Sequence, residues 1–430
     1  MTYSETIEYL YSRLPMFTKL GASAIKKDLT NTRIFCSRLR NPHQKFSSLH
    51  IGGTNGKGSV SNMLAAILQV AGYKTGLYTS PHLRDFRERF RINGEMIAET
   101  EVVNFTEKHR QDIEEIEPSF FELTVALAFN YFAEQAVDIA VIEVGLGGRL
   151  DSTNIISPLL SVITNIGYDH VNLLGNSLEE IAFEKAGIIK ANTPVVIGQK
   201  QPETTEVFLN KAREEAAKIQ FASDNWQIEE VFRKDEETLV VSILSASDLD
   251  AKTTYELDLP GTYQAKNLLT VLSAVEELKK QGFKITDEHI KKALKQVKKL
   301  TGLQGRWEII SKRPLLVADT GHNEDGIKEV LKNIEATSFE KLHMVIGMVK
   351  DKDIAKILSL LPKNANYYFC QPQLERAKPA AELFKEAAAH GLKGQFFSTV
   401  DAALEAAKKS ASVNDLIFVG GSTFVVAEII

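Results

Sequence analysis

The chain has 430 residues, enough for two or three domains at roughly 100–200 residues each. Its 51 Lys and Arg against 56 Asp and Glu give a net charge of −5, which offers no electrostatic basis for general nucleic-acid binding. The composition is that of a globular protein; a signal peptide, a bilayer-spanning segment and a disulfide framework are not expected, and Cys36 and Cys370 are expected to be free thiols in the cytoplasm.

Predicted strands and helices alternate along the first part of the chain, which favours α/β layers around parallel sheets. Residues 49–51 are predicted as a strand, and apolar residues at i, i+3, i+4 and i+7 predict a helix over 60–71 that Gly72 ends. Further strands are predicted over 75–79, 137–144 and 159–165, and a helix over 121–135. The strand 137–144 is apolar almost throughout, as expected for a sheet covered on both faces.

A change of pattern near residue 300 predicts a second, smaller Rossmann-like domain. Residues 288–300 predict one amphipathic helix with five lysines on its outer face, and the glycine-punctuated segment 301–306 is a linker candidate. After it, strands are predicted over 315–319, 342–346, 367–370, 395–397 and 416–419, with helices between them. The predicted domains are therefore residues 1–300 and 301–430.

A glycine-rich segment separates the first predicted strand from its helix. It reads Gly53-Thr54-Asn55-Gly56-Lys57-Gly58-Ser59 and is called the phosphate loop below. Glycines allow backbone N–H groups to wrap a phosphate, and the following helix adds its partial positive charge. Lys57 can reach terminal phosphates, and Ser59 can bind a phosphate or Mg²⁺. The general phosphate-loop pattern is not matched in full, and the alternative is a glycine-rich turn with a solvated lysine.

The phosphate loop resembles that of the folylpolyglutamate synthase and dihydrofolate synthase family, a branch of the Mur ligase superfamily. Further motifs follow in the family's order: YTSPHL at 78–83, VIEVGLGGRLDSTN at 141–154, ITNIGYDHVNLLG at 163–175, EKAGIIK at 184–190, GTYQAKN at 261–267, GRWE at 305–308 and DTGHNEDG at 319–326. The resemblance covers about residues 20–325 and favours the bifunctional bacterial type. It implies an ATP- and pterin-binding domain with a P-loop-type, mostly parallel sheet, followed by a Rossmann-like glutamate ligase domain.

The resemblance also implies an activity. Such an enzyme ligates L-glutamate to dihydropteroate or to folates through an acyl phosphate, and it releases ADP and phosphate. ATP and Mg²⁺, with two metal ions, are the implied cofactors; the partners are small molecules, with no nucleic acid or membrane, and the enzyme is a cytoplasmic monomer. Two alternatives stay open: another Mur-type ligase or a small-molecule kinase, and a nucleotide-dependent switch protein.

Four residues are candidates for metal binding. Glu143 ends a buried strand, where a carboxylate can hold a cation beside phosphates or can be structural. On the sequence alone, His170 is more often a packing residue and Lys185 a solvated lysine. The resemblance instead implies that Ser80, Glu143 and His170 surround Mg²⁺ and that Lys185 carries a carbamate near a second ion. It also implies catalytic roles for Lys185, His170, Lys57 and Arg306.

The remaining candidates bind the nucleotide and the acceptor. Asn267 can pair with an adenine edge, Arg306 with phosphates and Asp319 with ribose hydroxyls, and His322 is a further phosphate candidate. The resemblance implies acceptor contacts at a second set of residues: Asp28, Leu29, Phe121, Glu122 and Asp151. Phe121 can stack on the pterin ring, whereas Asp151 can either bind ring nitrogens or cap a turn.

Overall fold

The computed structural model of the protein describes residues 1–16, 21, 28–246, 248–350 and 353–430. The first part of the chain forms a sheet of eight strands in the order β4-β3-β2-β5-β1-β6-β7-β8. Its strands are β1 Ser47–Gly52, β2 Thr75–Tyr78, β3 Phe90–Ile92, β4 Glu95–Met96, β5 Ile139–Glu143, β6 Leu160–Ile163, β7 Val195–Ile197 and β8 Ile219–Phe221. All neighbours pair in parallel except at the β2-β3-β4 edge.

Helices cover both faces of this sheet. In the described part of residues 1–301, the helices are α1 Tyr3–Arg13, α2 Thr30–Arg38, α3 Lys57–Val70, α4 Glu99–Lys108, α5 Arg110–Ile116, α6 Phe120–Glu134, α7 Val171–Leu174, α8 Leu178–Ala186, α9 Pro202–Glu214, α10 Ala222–Asn225, α11 Gln264–Lys280, α12 Asp287–Leu294 and α13 Val297–Thr301, with short 3₁₀ helices at Pro42–Gln44, Phe86–Arg89 and Ser152–Ile155. Alternate residues of β5 enter different cores: Ile139 and Val141 pack with α3, whereas Ala140 and Ile142 pack with α6. This two-sided burial explains the continuous apolar sequence of the strand.

Three strands were not predicted; in the sequence they follow the first large sheet and precede the second. They are β9 Trp226–Arg233, β10 Leu239–Ser245 and β11 Asp248–Leu257, and they form an antiparallel sheet with β10 in the middle. Leu239, Val241 and Ile243 alternate along β10 into the core shared with α3. This sheet therefore extends the same core that supports the start of α3.

The last part of the chain forms a second α/β layer structure. Its strands are β12 Glu308–Lys312, β13 Leu315–Asp319, β14 Leu342–Ile346, β15 Asn366–Phe369, β16 Gly394–Phe396 and β17 Leu416–Gly420. Its helices are α14 Glu324–Glu335, α15 Ile354–Leu360, α16 Ala380–Ala389, α17 Val400–Ser410 and α18 Thr423–Ala427. The strand order is β12-β13-β17-β14-β15-β16, parallel except for β12, with apolar cores on both faces. The predicted Rossmann-like architecture is confirmed.

One predicted element is wrong. The helix predicted over 288–300 is two helices, α12 and α13, because Gln296 between them has φ −149° and ψ +33°, which is not a helical conformation. Asp258 accepts a hydrogen bond from the backbone N–H of Lys298 at 2.9 Å, which satisfies one of the free donors at the start of α13. In the described ranges, no helix combines the length and the apolar character that crossing a membrane requires.

Candidate active site

The phosphate loop joins the end of β1 to the start of α3. Gly53 and Gly56 have φ values of +134° and +86°, which favour glycine. A Cβ would lie 1.9 Å from the Thr164 hydroxyl oxygen if placed on Gly53, and 2.4 Å from Asn267 Oδ1 if placed on Gly56. Both glycines are therefore required by conformation and by space. The predicted strand–loop–helix context is present.

Two lysines converge on one backbone carbonyl of the loop. Lys57 Nζ donates to the carbonyl oxygens of Gly53 and Thr54 at 3.0 Å each, and Lys185 Nζ donates to the Gly53 oxygen at 3.0 Å. Lys185, near the end of α8, is only 4% exposed. Burial, and after it the charge of Lys57, lowers the pKa of Lys185 to about 7. A neutral amine is therefore readily available at Lys185 near pH 7.

A carboxylate and a guanidinium face the first turn of α3. A Cβ on Gly58 would lie 3.3 Å from Arg306 Nη2 and 3.8 Å from Glu143 Oε2. Burial raises the pKa of Glu143 to about 7, against the opposing charges of Lys57 and Arg306 and a hydrogen bond from the backbone N–H of Ser80. Arg306 donates to the Thr320 hydroxyl, while its buried Nε has no hydrogen-bond partner within the protein. The arrangement places an incompletely satisfied cation beside the phosphate loop.

A cavity of about 320 Å³ opens between the phosphate loop and the second parallel sheet. It brings together most of the residues predicted to bind the nucleotide, from both parts of the chain: Asn55, Gly56, Ser59, Asn267, Arg306, Asp319 and His322. Gln199, Lys266 and Lys332 also line it. The cavity thus unites side chains that are far apart in sequence.

Asp319 lies at the end of β13, on the wall of this cavity. Its Oδ2 accepts from the Tyr263 hydroxyl at 2.6 Å and from the Trp307 N–H at 2.8 Å, and its Oδ1 accepts from the Gly321 N–H at 2.8 Å. Burial raises the pKa of Asp319. These bonds fix the carboxylate and tie the start of α11 to the segment that carries Arg306. Tyr263 was missed as a site residue, although the motif GTYQAKN contains it.

A second set of contacts joins the phosphate loop to the second sheet. The side-chain amides of Asn55 and Asn323 donate to each other at 3.1 and 3.0 Å, and Asn323 also donates to Asp169 Oδ2 at 3.2 Å. The imidazole Nε2 of His322 lies 3.3 Å from the same Asp169 oxygen. Asn323 and Asp169 were not predicted, although both lie within the quoted motifs. We call the Asn55–Asn323 pair the amide clasp.

Comparison with known proteins identifies the family. Residues 51–275 match the Mur ligase middle domain, and residues 305–423 match the Mur ligase glutamate ligase domain. The dihydrofolate synthase/folylpolyglutamate synthase of Bacillus subtilis is 32% identical over 439 residues, covering 99% of this chain and 98% of the relative. This chain belongs to the dihydrofolate synthase/folylpolyglutamate synthase family.

Solved structures of this family share the fold. The structure of E. coli FolC in complex with DHPP and ADP is 28% identical, with a TM-score of 0.85 over 100% of this chain and 97% of that one. A bifunctional folylpolyglutamate synthase/dihydrofolate synthase with Mn, AMPPNP and L-glutamate bound is 28% identical, with a TM-score of 0.83 and the same coverage. The predicted fold class is confirmed. The division at residue 300 lies between the two matched segments and stays a prediction.

Two of the metal ligands that the family resemblance implies, Glu143 and His170, have positions that the structure describes in detail. Among the residues that the structure describes, no three His, Cys, Asp or Glu side chains are arranged to hold a metal ion. Glu143 ends β5 next to the phosphate loop, with the Ser80 N–H bonded to it. His170 follows Asp169 with φ +49°, and its Nε2 lies 3.8 Å from Asp169 Oδ1. The set of Ser80, Glu143, His170 and Lys185 stays a prediction.

The predicted acceptor residues lie at three places: Asp28 and Leu29 just before α2, Phe121 and Glu122 at the start of α6, and Asp151 at the end of the loop after β5. The Phe121 ring packs on Gly145, where a Cβ would lie 2.4 Å from its Cζ. Glu122 accepts from the Ser119 N–H at 2.6 Å in a capping box. Asp28 Oδ1 accepts from the Thr30 N–H at 2.7 Å, and Leu29 directly precedes α2.

Asp151 caps the 3₁₀ helix Ser152–Ile155. Its carboxylate accepts from the N–H of Leu146 at 2.8 Å and from the N–H and hydroxyl of Thr153 at 3.0 and 2.5 Å. The turn-capping alternative therefore describes its contacts within the protein. A role of Asp151 in binding the pterin stays a prediction.

Proposed function

We propose that this protein ligates L-glutamate to the carboxylate of a pterin-bearing acceptor, a folate or dihydropteroate, at the expense of ATP. The observation that carries the proposal is the cavity in which the phosphate loop and Arg306 face one another across two parts of the chain, with Glu143 beside the first turn of α3. The family assignment supplies the reaction class, because its named members are dihydrofolate and folylpolyglutamate synthases.

ATP occupies the cavity with its phosphates on the phosphate loop. The N–H groups at the start of α3 and the cations Lys57 and Arg306 bind the phosphates, and the unpartnered Nε of Arg306 gains an acceptor there. Asn267 is positioned beside Gly56 to contact the adenine edge, and Asp319 accepts from ribose hydroxyls. His322 approaches the phosphates from the second sheet.

Mg²⁺ fits the oxygen-rich side of the phosphate loop. Glu143 is a buried carboxylate beside the loop, and because burial raises its pKa against the opposing charges of Lys57 and Arg306, a bound cation would stabilise its ionised form. We assign Ser80, Glu143 and His170 to one ion and Lys185, as a carbamate, to a second. When bound, Mg²⁺ neutralises phosphate charge during transfer.

The reaction proceeds in two steps. A carboxylate oxygen of the acceptor attacks the γ-phosphorus of ATP, which forms an acyl phosphate and releases ADP. The glutamate amine then attacks the acyl carbon, loses a proton and displaces phosphate, which leaves the new amide. Lys57 and Arg306 stabilise the charge on the transferring oxygens, and the cavity between the two sheets keeps water from the acyl phosphate.

The low pKa of Lys185 supports its carbamylation. A neutral amine attacks the carbon of CO₂ and loses one proton to solvent, and the product is an anionic carbamate. Lys57 lies close enough for its charge to lower the pKa of Lys185, so the same cation would stabilise the carbamate. The modification converts two repelling cations into an ion pair.

The acceptor lies on the α6 side of the sheet. Phe121 provides a ring for stacking, and Asp28, Leu29, Glu122 and Asp151 border the site through their positions at helix starts and turns. We propose that the enzyme works in the cytoplasm, where ATP is available, and as a monomer.

Phosphate release measured with ATP, L-glutamate and each acceptor in turn tests the proposal. Release is expected only when all three substrates are present, with a product one glutamate heavier by mass spectrometry. Lys57→Ala should abolish it, whereas Lys385→Ala, at an exposed position on α16, should not. Turnover of nucleotide-linked sugars would instead favour another Mur-type ligase, and phosphorylation without amide formation would favour a small-molecule kinase. ATP hydrolysis that does not depend on an acceptor would favour a nucleotide-dependent switch protein.

A further inference from the structure

A buried hydrogen-bonded chain runs from β1 to the acceptor loop, here defined as residues 145–151. His50 Nε2 lies 2.8 Å from the Thr153 hydroxyl oxygen, which lies 2.5 Å from Asp151 Oδ1. His50 and Thr153 are fully buried, and Asp151 is 5% exposed. The reaction steps described above use neither His50 nor Thr153.

The direction of the two hydrogen bonds follows from their partners. Each oxygen of the Asp151 carboxylate accepts a backbone N–H, from Thr153 or from Leu146, so the carboxylate is the acceptor and the Thr153 hydroxyl donates its one proton to it. Its lone pairs then face His50, whose Nε2 must carry a proton and donate. Burial, and after it the charge of Lys190, lowers the pKa of His50 to about 3, so the ring is neutral. Nδ1 is then the bare nitrogen, and it is buried without a hydrogen-bond partner.

The chain connects the two halves of the proposed reaction. His50 is on β1, three residues before the phosphate loop begins at Gly53. Asp151 also accepts from the Leu146 N–H and so holds the acceptor loop, whose Gly145 packs on the Phe121 ring. Moving Asp151 would therefore move the loop relative to the strand that ends in the phosphate loop.

We infer that His50 and Thr153 are positioning residues for the acceptor: through Asp151 they hold the acceptor loop in register with the phosphate loop, so that the acceptor carboxylate meets the γ-phosphate of ATP. The inference rests on the proposed function, which assigns Phe121 and Asp151 to the acceptor. In that function these two residues contact the acceptor, so a displaced acceptor loop would weaken acceptor binding and raise the acceptor KM.

The pair Thr153→Val and Thr153→Ser tests the positioning role, because valine removes the hydroxyl at similar size and serine keeps it. For Thr153→Val we expect an acceptor KM raised about tenfold, which corresponds to about 1.4 kcal/mol, with the KM for ATP within about twofold of wild type. Thr153→Ser should keep the acceptor KM near the wild-type value. An unchanged acceptor KM in Thr153→Val, or an equal rise in both KM values, would overturn the inference.

A second measurement does not depend on turnover. Nitrogen NMR of ¹⁵N-histidine-labelled wild-type protein should show His50 as the neutral tautomer with its proton on Nε2. A proton on Nδ1, or an imidazolium near neutral pH, would refute the hydrogen-bonded chain. If Thr153→Val does not fold, His50→Gln, which keeps an N–H donor, should retain the acceptor KM that His50→Leu loses; equal values in the two variants would contradict the inference. A wild-type enzyme inactive on every pterin acceptor would refute the proposed function, while the tautomer still tests the chain.

Discussion

Replacing Lys185 with methionine is expected to stabilise the folded protein near pH 7 while it abolishes activity. Lys185 is 4% exposed and donates to the Gly53 carbonyl oxygen at 3.0 Å. Its ammonium group is buried away from water and lies near the charge of Lys57, and both effects lower the pKa of Lys185 from 10.5 to about 7. The folded state therefore disfavours the charged lysine, and an apolar side chain of similar length removes that penalty.

The magnitude follows from the difference in pKa. A change from 10.5 to about 7 corresponds to about 5 kcal/mol of destabilisation wherever Lys185 is protonated in both the folded and the unfolded state, which means below pH 7. Loss of the hydrogen bond to Gly53 offsets about 2 kcal/mol, so Lys185→Met should gain about 3 kcal/mol. Between pH 7 and 10.5 the unfolded chain binds more protons than the folded one, so wild-type stability rises with pH across this window. Because this rise is about 1.4 kcal/mol per pH unit, the advantage of methionine should vanish at about pH 9.

Urea unfolding in CO₂-depleted buffer, at neutral and alkaline pH, measures the effect. Lys385→Met, at an exposed position, is the control and should shift stability by less than about 0.5 kcal/mol. Adding bicarbonate should stabilise wild type but not Lys185→Met, because a carbamate forms only on the folded-state amine. A Lys185→Met protein that is less stable than wild type at pH 7, by a margin that does not change with pH, would refute the reasoning.

Three further predictions concern the nucleotide, the amide clasp and the acceptor. Lys57→Ala should lower kcat about 1000-fold with little change in melting temperature, because a cation about 4 Å from a phosphoryl oxygen contributes about 4 kcal/mol at an effective dielectric constant of about 20. A kcat within about tenfold of the wild-type value would contradict this role. Asn323→Ser keeps the cap of α14 but loses the Asn55 contact, so phosphate release should fall about tenfold while the melting temperature holds; unchanged release would show that the clasp does not matter. Mass spectrometry should find dihydrofolate made from dihydropteroate and also a longer glutamate chain on folylmonoglutamate, and the absence of the first product would leave a monofunctional enzyme.

The sequence predicted the elements whose signals are local. Strands β13 and β14 have the predicted bounds, and β1, β5 and α6 differ from prediction by one or two residues at their ends. These elements could be predicted because the spacing of apolar residues indicates which side chains are buried, and flanking glycines indicate where an element ends. The division between α12 and α13 could not be predicted, since the donor at the start of α13 is satisfied by Asp258, 40 residues earlier in the chain. The β9-β10-β11 sheet was missed for a related reason: the half-buried outer strand β9 carries little of the apolar signal.

The residues of the candidate site also fall into those that local sequence predicts and those that only the fold brings together. The phosphate loop was predicted from its own residues, because glycines with positive φ and a lysine at a helix start are local features. The contacts of Asn323 with Asn55 and Asp169 span 268 and 154 residues, so only the fold reveals them. The hydrogen-bonded chain from His50 through Thr153 also depends on the fold, which brings a buried imidazole within hydrogen-bond distance of a residue 103 positions later in the sequence.

The central claim is that ATP hydrolysis in this protein is coupled to amide formation between L-glutamate and a pterin-bearing carboxylate. The most direct measurement follows ¹⁸O from a labelled acceptor carboxylate during turnover with ATP and L-glutamate. An acyl phosphate intermediate predicts that one labelled oxygen per new amide appears in the released phosphate. Amide formation that leaves the phosphate unlabelled, or phosphate release that needs no acceptor, would contradict the account.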